Sequence, residues 1–584
     1  MKNVKRLLRS LRGNKKNTIL AIVLVALEVV CECIMPLAIA EMIDSSGVDW
    51  GNLLGYGAIL IVLATASLLC GIFSGKFSAK AAAGFAKNLR EDMFKNIQDY
   101  SFSNIDKFSS SSLITRMTTD VNNIQNAFSI IIRIAIRVPL MIIFSLVASF
   151  IISPSLAWIF AIAIPILAGL LILIISKATP TFNKVFRKYD TLNSSVQENI
   201  DGIRVVKTYV REDYEKKKFS KAADDVCKDF TRGEKIVAWN TPLVNFFMYA
   251  ASAIISVLGA YIIIGVLDWG SLTTGGLSSL ISYGINILSA LSMLGMVIVM
   301  ISMSMASADR VVEVLEESSD IVNPENAVLA VKDGSIDFND VSFRYKKEGE
   351  ENVLENVSLH LKNGESLGII GTTGSGKTTL ISLISRLYDV NDGSVEVGGL
   401  DVRKYDLVTL RNEVTTVLQK NVLFSGTIID NMRWGNKDAT IEEIKKACEI
   451  AQADEFVCSF KDGYNTFLEE GGTNLSGGQK QRLCIARAIL RKPKILILDD
   501  STSAVDTKTD ALIMKGIKES LPTTTKIVIA QRVSSLTNMD HILVLDNGKI
   551  NGYGTEAELL QSNSIYKEIS QAQRKNGGNE NEKQ

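Results

Sequence analysis

The sequence contains very little histidine, and its cysteines show no spacing that suggests a shared role. His360 and His541 are the only histidines among 584 residues, so a metal site built from histidine ligands is excluded. The seven cysteines are scattered, and the pair Cys31 and Cys33 lies in an apolar stretch, where it is interpreted as helix filler rather than a redox or metal pair. Basic and acidic residues balance at 63 each, so net charge gives no indication of a nucleic-acid partner.

Apolar residues are abundant, at 47% of a chain that is too long for a single domain. Six apolar segments are long enough to cross a membrane as helices. They are 18–40, 53–72, 127–152, 156–175, 242–266 and 277–305. The first is longer than the apolar core of a signal peptide, so a retained membrane helix is predicted.

Lysine and arginine are unevenly distributed among the predicted loops. The loops 44–52, 153–155 and 267–276 contain neither, whereas the N-terminal tail and the connections 75–125 and 176–241 are rich in both. By the positive-inside rule, the N-terminus and the long connections are cytoplasmic, and six crossings return the chain to the same side. Helical periodicity with little glycine or proline predicts that helices continue through these connections, far out of the membrane.

The composition changes after the sixth predicted span. Residues 1–310 are interpreted as a transmembrane domain, and 311–334, which include the Asn323-Pro324 turn, as a linker. Alternating strand and helix patterns over 335–572 indicate an α/β domain. The tail 573–584 is polar and is expected to be disordered.

A glycine-rich loop follows the apolar run 366–370 and opens a helical pattern at 379–388. It has the form G-x-x-x-x-G-K-[ST], in which backbone N–H groups close around phosphate oxygens at a helix N-terminus. The predicted ATP-binding residues are Gly371, Thr372, Gly374, Ser375, Gly376, Lys377, Thr378 and Thr379. Lys377 can reach the β- and γ-phosphates, and the Thr378 hydroxyl can bind Mg²⁺. The predicted fold is therefore an α-helical six-span transmembrane domain followed by an α/β P-loop nucleotide-binding domain.

Two further motifs belong to the same domain. The apolar run 495–498 ends in Asp499, whose carboxylate is predicted to hold Mg²⁺. Upstream, a helical pattern begins with Leu475, Ser476, Gly477, Gly478 and Gln479. A glycine-rich N-cap would explain that segment alone, but its position between a P-loop and an Asp-terminated strand resembles the signature of the ATP-binding cassette (ABC) family. With six spans before the cassette, nearly the whole chain resembles one half of an ABC exporter.

The resemblance implies that two cassettes hold two ATP molecules, each between the P-loop of one chain and the signature of the other. Ser476 and Gly478 would donate hydrogen bonds to the γ-phosphate of the partner's ATP. Tyr345 matches the aromatic residue that stacks on adenine, although it could equally be an ordinary strand residue. Gln419 matches the glutamine that contacts the γ-phosphate and Mg²⁺, and the segment 503–506 resembles the loop at the dimer interface.

Two positions depart from the family pattern at the hydrolytic step. Asp500 stands where the family has a glutamate base, and Gln531 where it has a histidine. Aspartate is one methylene shorter, and glutamine cannot become positively charged. His541 does not compensate, because it begins the next strand. The chain therefore resembles the degenerate-site subunit of heterodimeric bacterial multidrug exporters, whose signature completes the partner's active site; a homodimer with Asp500 as an adequate base is the alternative.

Other elements of the resemblance are less specific. The segments 101–108 and 207–214 have aromatic and charged residues where the helical pattern breaks, and they resemble the short coupling helices that contact cassettes. Solvated turns would have the same composition.

Charged residues also occur inside two predicted spans. Glu28 and Glu32 lie one turn apart in the first span, and Arg133 and Arg137 one turn apart in the third, so each pair is predicted to share a helix face. Charges at this depth normally face a bundle interior or a water-filled cavity. Two interpretations stay open: the four residues form structural ion pairs, or the glutamates face the transport cavity and favour cationic amphiphiles.

Three classes of function are consistent with these motifs. The favoured one is the ATP-binding and permease subunit of an exporter of amphipathic compounds in the bacterial cell membrane, with both termini cytoplasmic and with ATP and Mg²⁺ as cofactors. An ATP-gated regulatory membrane protein is the second. An importer subunit is the third, and it is disfavoured because importers usually keep the membrane and cassette parts on separate chains. The expected partners are a second half-transporter chain, the lipid bilayer and a small amphipathic substrate, with no nucleic acid.

Overall fold

The computed structural model describes residues 2–45, 50–345 and 351–578. Its contacts divide the chain into two compact units. The first comprises Met1–Asp99 and Phe108–Glu317, and the second comprises Tyr100–Lys107 and Ser318–Gln584. A short segment from the N-terminal half thus belongs to the C-terminal unit.

The first unit is helical, and its described residues contain six helical stretches that are long and apolar enough to span a membrane, which confirms the predicted fold class. Its α-helices are Lys2–Leu8, Lys15–Asp44, Trp50–Gln98, Ser110–Thr115, Val121–Ile130, Ile136–Ile152, Pro154–Asp201, Ile203–Thr208, Glu212–Val237, Asn240–Ile263 and Thr274–Glu316. A 3₁₀ turn, Arg9–Leu11, joins the first two. The predicted loop 44–52 lies partly outside the described residues.

The exposed surface of these helices is apolar, as a lipid environment requires. Only 6% of the most apolar window of helix Trp50–Gln98 is buried by protein. Where this helix contacts its neighbours, small residues such as Ala81, Ala82 and Ala86 are buried. Small side chains allow close approach of helix backbones, which is how membrane helices associate without a hydrophobic driving force between them.

The long connections are helical, as predicted from their periodicity. Helix Trp50–Gln98 has 49 residues and helix Pro154–Asp201 has 48, which at 1.5 Å per residue is about 70 Å, roughly twice the thickness of a bilayer core. Two short helices, Phe102–Lys107 and Ile203–Thr208, lie at their far ends. The second ends where the segment 207–214 begins, and Val210 in that segment has a left-handed φ of 53°.

Two π-helical segments, Arg116–Asp120 and Ile131–Ala135, interrupt the third span. A π turn holds roughly four to five residues, so Arg133 and Arg137 remain about one turn apart, and the face they share stays a prediction. The two glutamates are nevertheless bound by only one arginine of this pair. Arg137 alone contacts both, with Nη1 2.6 Å from Glu28 Oε1 and Nη2 2.6 and 2.7 Å from the two carboxylate oxygens of Glu32.

The described residues of the second unit form three sheets. Four strands form an antiparallel sheet in the order β2-β1-β4-β5, six form a largely parallel sheet in the order β12-β11-β3-β10-β9-β6, and β7 pairs with β8. The strands are β1 Ile336–Phe343, β2 Leu354–Leu361, β3 Ser366–Gly371, β4 Asp392–Val397, β5 Leu400–Asp401, β6 Val414–Val417, β7 Gly426–Thr427, β8 Phe467–Leu468, β9 Ile495–Asp499, β10 Thr525–Ile529, β11 His541–Asp546 and β12 Lys549–Gly554.

Both faces of the six-stranded sheet are covered. Strand β9 shows this most simply, because Ile495 and Ile497 belong to a core shared with the antiparallel sheet, whereas Leu496 and Leu498 belong to a core shared with helices. A strand buried on both faces is apolar throughout rather than alternating. The α-helices of this unit are Phe102–Lys107, Lys377–Ile384, Leu407–Glu413, Ile428–Met432, Ile441–Ile450, Asp454–Ser459, Gly477–Leu490, Thr507–Ser520, Glu556–Ser562 and Ser564–Gly578.

Two predicted boundaries, before and after the nucleotide-binding region, do not coincide with the ends of the observed helices. Helix Thr274–Glu316 runs without interruption through the predicted end of the sixth span and into the predicted linker. At the C-terminus, helix Ser564–Gly578 includes the first part of the tail that was predicted to be disordered. The rest of that tail, 579–584, lies outside the described residues.

Candidate active site

Four neighbouring parallel strands bring the predicted site residues to one edge of the sheet. In the order β3-β10-β9-β6, these strands are followed by the glycine-rich loop, Gln531, Asp500 and Gln419 respectively. Because parallel strands share the direction of their carboxyl ends, segments distant in sequence meet there, and the crevice at this edge is where open α/β sheets bind ligands.

The glycine-rich loop adopts a conformation that its glycines make possible. Gly374 and Gly376 have left-handed φ values of 86° and 95°, which L-residues with a side chain rarely adopt. A Cβ atom on Gly371 would lie 2.1 Å from the Leu545 carbonyl oxygen, and one on Gly376 would lie 2.8 Å from the Leu354 side chain. Helix Lys377–Ile384 begins directly after the loop, so free N–H groups and the positive end of the helix dipole point into the loop.

The Lys377 ammonium lies across this loop. Its Nζ donates to the carbonyl oxygens of Gly371 at 2.9 Å and Thr372 at 2.7 Å. Burial lowers its pKa, while the nearby carboxylates of Asp499 and Asp500 act in the opposite direction. The Lys377 ammonium lies beside the N–H donors of a loop that can surround a phosphate group, which suits a polyphosphate ligand. A phosphate oxygen would bind this ammonium more strongly than the neutral loop carbonyls do.

Oxygen ligands suited to Mg²⁺ lie beside the loop. Thr378 Oγ1 donates to Asp499 Oδ2 at 3.1 Å, and burial raises the pKa of Asp499. Among the described residues, no group of three or more His, Cys, Asp or Glu side chains could hold a metal by itself. Magnesium commonly takes only one or two protein ligands together with phosphate oxygens and water, so the donors present fit a Mg²⁺ brought in with a nucleotide.

The Asp500 carboxylate is held by the two predicted glutamines. Its Oδ2 accepts from Gln531 Nε2 at 2.8 Å and, more weakly, from Gln419 Nε2 at 3.4 Å. Asp500 has a φ of 47° and is 9% exposed; aspartate is one of the few residues with a side chain that tolerate this conformation. Burial raises its pKa, and the two amide hydrogen bonds partly offset that effect.

The predicted signature forms the N-terminus of helix Gly477–Leu490. The Ser476 hydroxyl accepts from the Gln479 N–H at 3.3 Å, and Gln479 Oε1 accepts from the Ser476 N–H at 2.9 Å, which is a complete capping box. The hydroxyl proton of Ser476 is still available for donation. A Cβ on Gly478 would lie 2.9 Å from the Ala504 carbonyl oxygen, so this helix and the segment 503–506 are packed backbone to backbone.

Gln481 connects these two elements, and the sequence analysis did not identify it. Its Oε1 accepts from the Ala504 N–H at 3.0 Å, and its Nε2 donates to Ser503 Oγ at 3.3 Å. Ser503 Oγ donates in turn to the Asp500 carbonyl at 3.0 Å. The signature helix is thus linked by hydrogen bonds to the backbone of Asp500. In the sequence, the only sign of this role for Gln481 is that a glutamine occupies a helix face that is otherwise apolar.

An aromatic cluster surrounds Tyr345. Its ring contacts Phe343 and Tyr388 at centroid distances of 5.0 and 5.1 Å, and its hydroxyl lies 2.9 Å from Thr379 Oγ1. The Tyr388 hydroxyl donates to Asp106 Oδ2 at 2.6 Å, and burial together with this carboxylate raises the Tyr388 pKa. The short helix Phe102–Lys107 is therefore tied to the residue next to the predicted adenine position, a connection that no local sequence pattern indicates.

The C-terminal helix supports the Gln531 segment. Gln573 Nε2 donates to the Gln531 carbonyl at 2.7 Å, and Gln573 Oε1 accepts from the Val533 N–H at 2.8 Å. His541, by contrast, pairs in register with Leu367 near the start of β3 and stacks on Tyr553. It lies at the opposite edge of the sheet from Asp500, as expected from its place in the chain.

A P-loop α/β domain in one chain with six membrane-spanning helices defines a membrane protein with its own nucleotide-binding unit. Comparison with known proteins gives the family. Residues 18–291 match the family described as the ABC transporter transmembrane region, and residues 354–503 match the family described as ABC transporter. The chain belongs to the ABC transporters, as an exporter with fused membrane and ATP-binding regions.

Similar proteins cover the chain almost from end to end. An uncharacterized ABC transporter ATP-binding protein of Bacillus subtilis (strain 168), YfiB, is 36% identical over 95% of this chain and 96% of its own length. An ATP-dependent lipid A-core flippase of Desulfotalea psychrophila is 35% identical over 78% of this chain and 79% of its own. The solved structure of a bacterial Atm1-family ABC exporter with ATP bound covers 96% of this chain and 99% of its own, with a TM-score of 0.82 and 23% identity, and shows the shared fold.

Proposed function

We propose that this chain is the slow-site subunit of a heterodimeric exporter, which moves amphipathic compounds outward across a bacterial cell membrane with both termini in the cytoplasm. The observation that carries the proposal is the arrangement around Asp500. Its carboxylate stands in the position of the general base and accepts hydrogen bonds from the Gln531 and Gln419 amides through one oxygen. An exporter of this family carries an ATPase region, and in this chain the site formed by its own P-loop would hydrolyse ATP slowly.

We expect slow hydrolysis because the Asp500 side chain is short, and not because its carboxylate is a weak base. Burial raises the pKa of Asp500, which makes its ionised form a stronger base. The aspartate side chain is one methylene shorter than glutamate, and a misplacement of about 1 Å can cost about a hundredfold in rate. Gln531 can donate a hydrogen bond toward a γ-phosphate but cannot supply the positive charge of a histidine.

The nucleotide-holding parts support tight binding. ATP would supply the phosphoanhydride bond, and Mg²⁺ would neutralise charge on its phosphates. The loop 371–379 offers N–H donors, Lys377 offers a cation, and Thr378 with Asp499 offers oxygen ligands. Gln419 would complete the metal set. Binding without rapid turnover follows when these groups are intact and only the base is displaced.

The signature would act on the other nucleotide. Ser476 can donate its hydroxyl proton while the same oxygen accepts from Gln479, so capping its own helix and binding a phosphate of the partner's ATP are compatible. Gly478 would donate its N–H from the first turn of that helix. A chain of this kind contributes one slow site through its P-loop and one fast site through its signature.

The test compares two variants in the assembled exporter, purified from its native host through a tag on this chain. Ser476→Arg places a bulky cation in the fast site and is expected to remove most ATPase activity and transport. Lys377→Ala affects only the slow site and is expected to weaken nucleotide retention while leaving most of the turnover, because a well-placed base contributes about 10²–10⁴-fold at the competent site. Melting temperatures of both variants control for the lost helix cap.

The homodimer alternative makes the opposite prediction. If Asp500 is an adequate base, a preparation that contains this chain alone hydrolyses ATP vigorously, and the two variants lose activity equally with ATP still bound. A preparation that binds ATP and opens a path without turnover would support a gated membrane protein instead. A second ABC chain in equal amount, together with unequal losses, supports the heterodimer.

The cargo class rests on the membrane unit. Glu28 and Glu32 share one guanidinium, so the cluster has two carboxyl groups for one cation, which favours amphiphiles with a cationic group. A lipid is the second candidate, because one relative is named as a lipid A-core flippase. Transport of a cationic dye and of a fluorescent phospholipid, each measured in wild type and in Glu28→Gln/Glu32→Gln, separates the two: a cationic cargo depends on the glutamates, and a lipid cargo does not.

A further inference from the structure

A groove in the first unit lies between helix Pro154–Asp201 and the helices Glu212–Val237 and Asn240–Ile263. It encloses about 650 Å³, which is the size of a small-molecule binding site. The two sides touch at Gly233, where a Cβ atom would lie 3.1 Å from the Phe182 ring, and Phe182 packs edge-on against Phe230. The groove is the space left open beside this contact.

One part of the groove is lined by basic side chains and the other part by apolar side chains. Lys177, Lys228, Arg232 and Lys235 line it, and no acidic side chain does, among the residues that the structure describes. Lys228 lies 4.0 Å from Asp225, a pair in which both side chains are exposed. Lys177, Arg232 and Lys235 form no ion pair within 4.0 Å of any described carboxylate. The nearby Asp229 is bound by Lys188 at 2.7 Å and by Lys184 at 3.7 Å, and Arg232 acts on it from a longer distance.

The apolar part points toward the membrane-spanning segments. Leu170 and Leu173 come from the apolar span Pro154–Phe182, and Leu243 lies in helix Asn240–Ile263. Trp239 lies in the groove between the basic and apolar parts and is exposed. Tryptophan is enriched at membrane–water interfaces, so the cations lie at the level of lipid headgroups and the leucines at the level of acyl chains.

We propose that this groove binds an anionic phospholipid of the cytoplasmic leaflet, with its phosphate on Lys177, Arg232 and Lys235 and an acyl chain along Leu170, Leu173 and Leu243. The three cations attract the single negative charge of a phosphate diester and offer several donors to its oxygens, and the adjoining apolar surface matches a chain that soluble anions lack. The same lysine-rich connections place this end of the helices in the cytoplasm, and basic pockets between membrane helices on that side bind anionic headgroups. The proposed lipid site does not depend on which compound is transported or on how many of the two ATP sites hydrolyse ATP.

Trp239 provides the measurement. The assembled exporter, purified through a tag on this chain, is reconstituted in phosphatidylcholine vesicles that contain increasing amounts of phosphatidylglycerol or phosphatidylcholine brominated on the acyl chains. Its fluorescence is compared with that of the same assembly carrying Trp239→Phe. The difference isolates quenching of Trp239. We expect half-quenching by the brominated phosphatidylglycerol at about a tenfold lower mole fraction, because each interfacial cation favours anionic lipid.

The control separates the groove from general surface charge. The variant Lys177→Gln/Arg232→Gln/Lys235→Gln is expected to lose the preference, whereas Lys216→Gln/Lys217→Gln/Lys221→Gln, which removes the same charge from the far part of helix Glu212–Val237, is expected to keep it. Melting temperatures establish that both variants are folded. Equal loss in both variants would assign the effect to bulk electrostatics and overturn the proposal.

Three other results would also overturn it. Equal quenching by the two lipids in wild type would remove the headgroup preference. No quenching of Trp239 by either lipid would mean that the groove is covered by protein in the assembled exporter. Restoration of Trp239 fluorescence by millimolar glycerol phosphate would assign the basic part to a soluble anion, since a lipid held by its chain as well as its phosphate is not displaced by the headgroup alone.

Discussion

Replacing Arg137 by methionine removes the guanidinium that contacts two membrane carboxylates. Glu28 and Glu32 retain 12% and 24% side-chain exposure, and Arg137 retains 33%. Breaking a buried pair by removing one partner costs about 3–5 kcal/mol, whereas a fully exposed pair contributes about 0–1 kcal/mol. The partial exposure places the expected loss near the lower end of the buried range, at about 3 kcal/mol.

Arg133 provides a matched control for this change. It is an arginine about one turn earlier in the same span, and among the described residues it forms no ion pair with Glu28 or Glu32, which are both bound by Arg137. At about 2.1 cal/mol/K of unfolding entropy per residue, a unit of about 310 residues loses about 1.5 °C for each kcal/mol, so Arg137→Met should lower the melting temperature in detergent by about 5 °C. Arg133→Met should leave it nearly unchanged.

A combined variant tests the charge argument directly. In Arg137→Met/Glu28→Gln/Glu32→Gln the unpaired carboxylates are gone, so part of the lost stability should return, with a coupling energy of about 1–3 kcal/mol. The reasoning is refuted if Arg137→Met is no more destabilising than Arg133→Met. It is equally refuted if the glutamine substitutions add to the loss instead of reducing it.

Three further predictions follow from the second unit. Tyr388→Phe removes the hydroxyl that donates to Asp106 but keeps the ring contacts with Tyr345; we expect unchanged ATP affinity with a reduced stimulation of ATPase activity by substrate, and the same result for Asp106→Asn. Gln573→Ala removes both hydrogen bonds to the Gln531–Val533 segment, so the Val533 amide should exchange with deuterium about tenfold faster, whereas the exposed Gln571→Ala should have no effect. Asp500→Glu/Gln531→His should raise ATP hydrolysis by the purified chain about tenfold or more, and no increase, with ATP affinity preserved, would contradict the assignment of a slow site to these positions.

The parts of the site that depend on local chain geometry could be predicted from the sequence. The loop 371–379 is one strand-turn-helix unit, and its glycines are required by the φ values at Gly374 and Gly376. Asp499 follows an apolar strand that is buried on both faces. Strand, loop and helix signals agreed in each case, so the meeting of these residues at one sheet edge followed from parallel topology alone.

The parts that depend on distant packing could not be predicted. Tyr388 and Asp106 are separated by 282 positions in the chain, and neither lies in a pattern that indicates the other. Gln573 lies in a polar segment whose composition indicates disorder, yet its amide is used in two hydrogen bonds. The choice of Arg137 rather than Arg133 as the partner of both glutamates depends on how the first and third spans pack, which the helical repeat of either span does not specify.

Ser476 serves the folding of its own chain before any second chain is present. Its hydroxyl and the Gln479 side chain form the capping box at the start of helix Gly477–Leu490, and loss of such a cap costs about 0.5–2 kcal/mol. The contact between Gly478 and the Ala504 carbonyl likewise excludes larger residues for reasons of space. A duplicated copy of this gene that had ceased to transport anything would therefore still be under selection to keep both residues for as long as it had to fold. The presence of Ser476 and Gly478 is therefore evidence of descent from an ABC transporter rather than evidence that the protein is active.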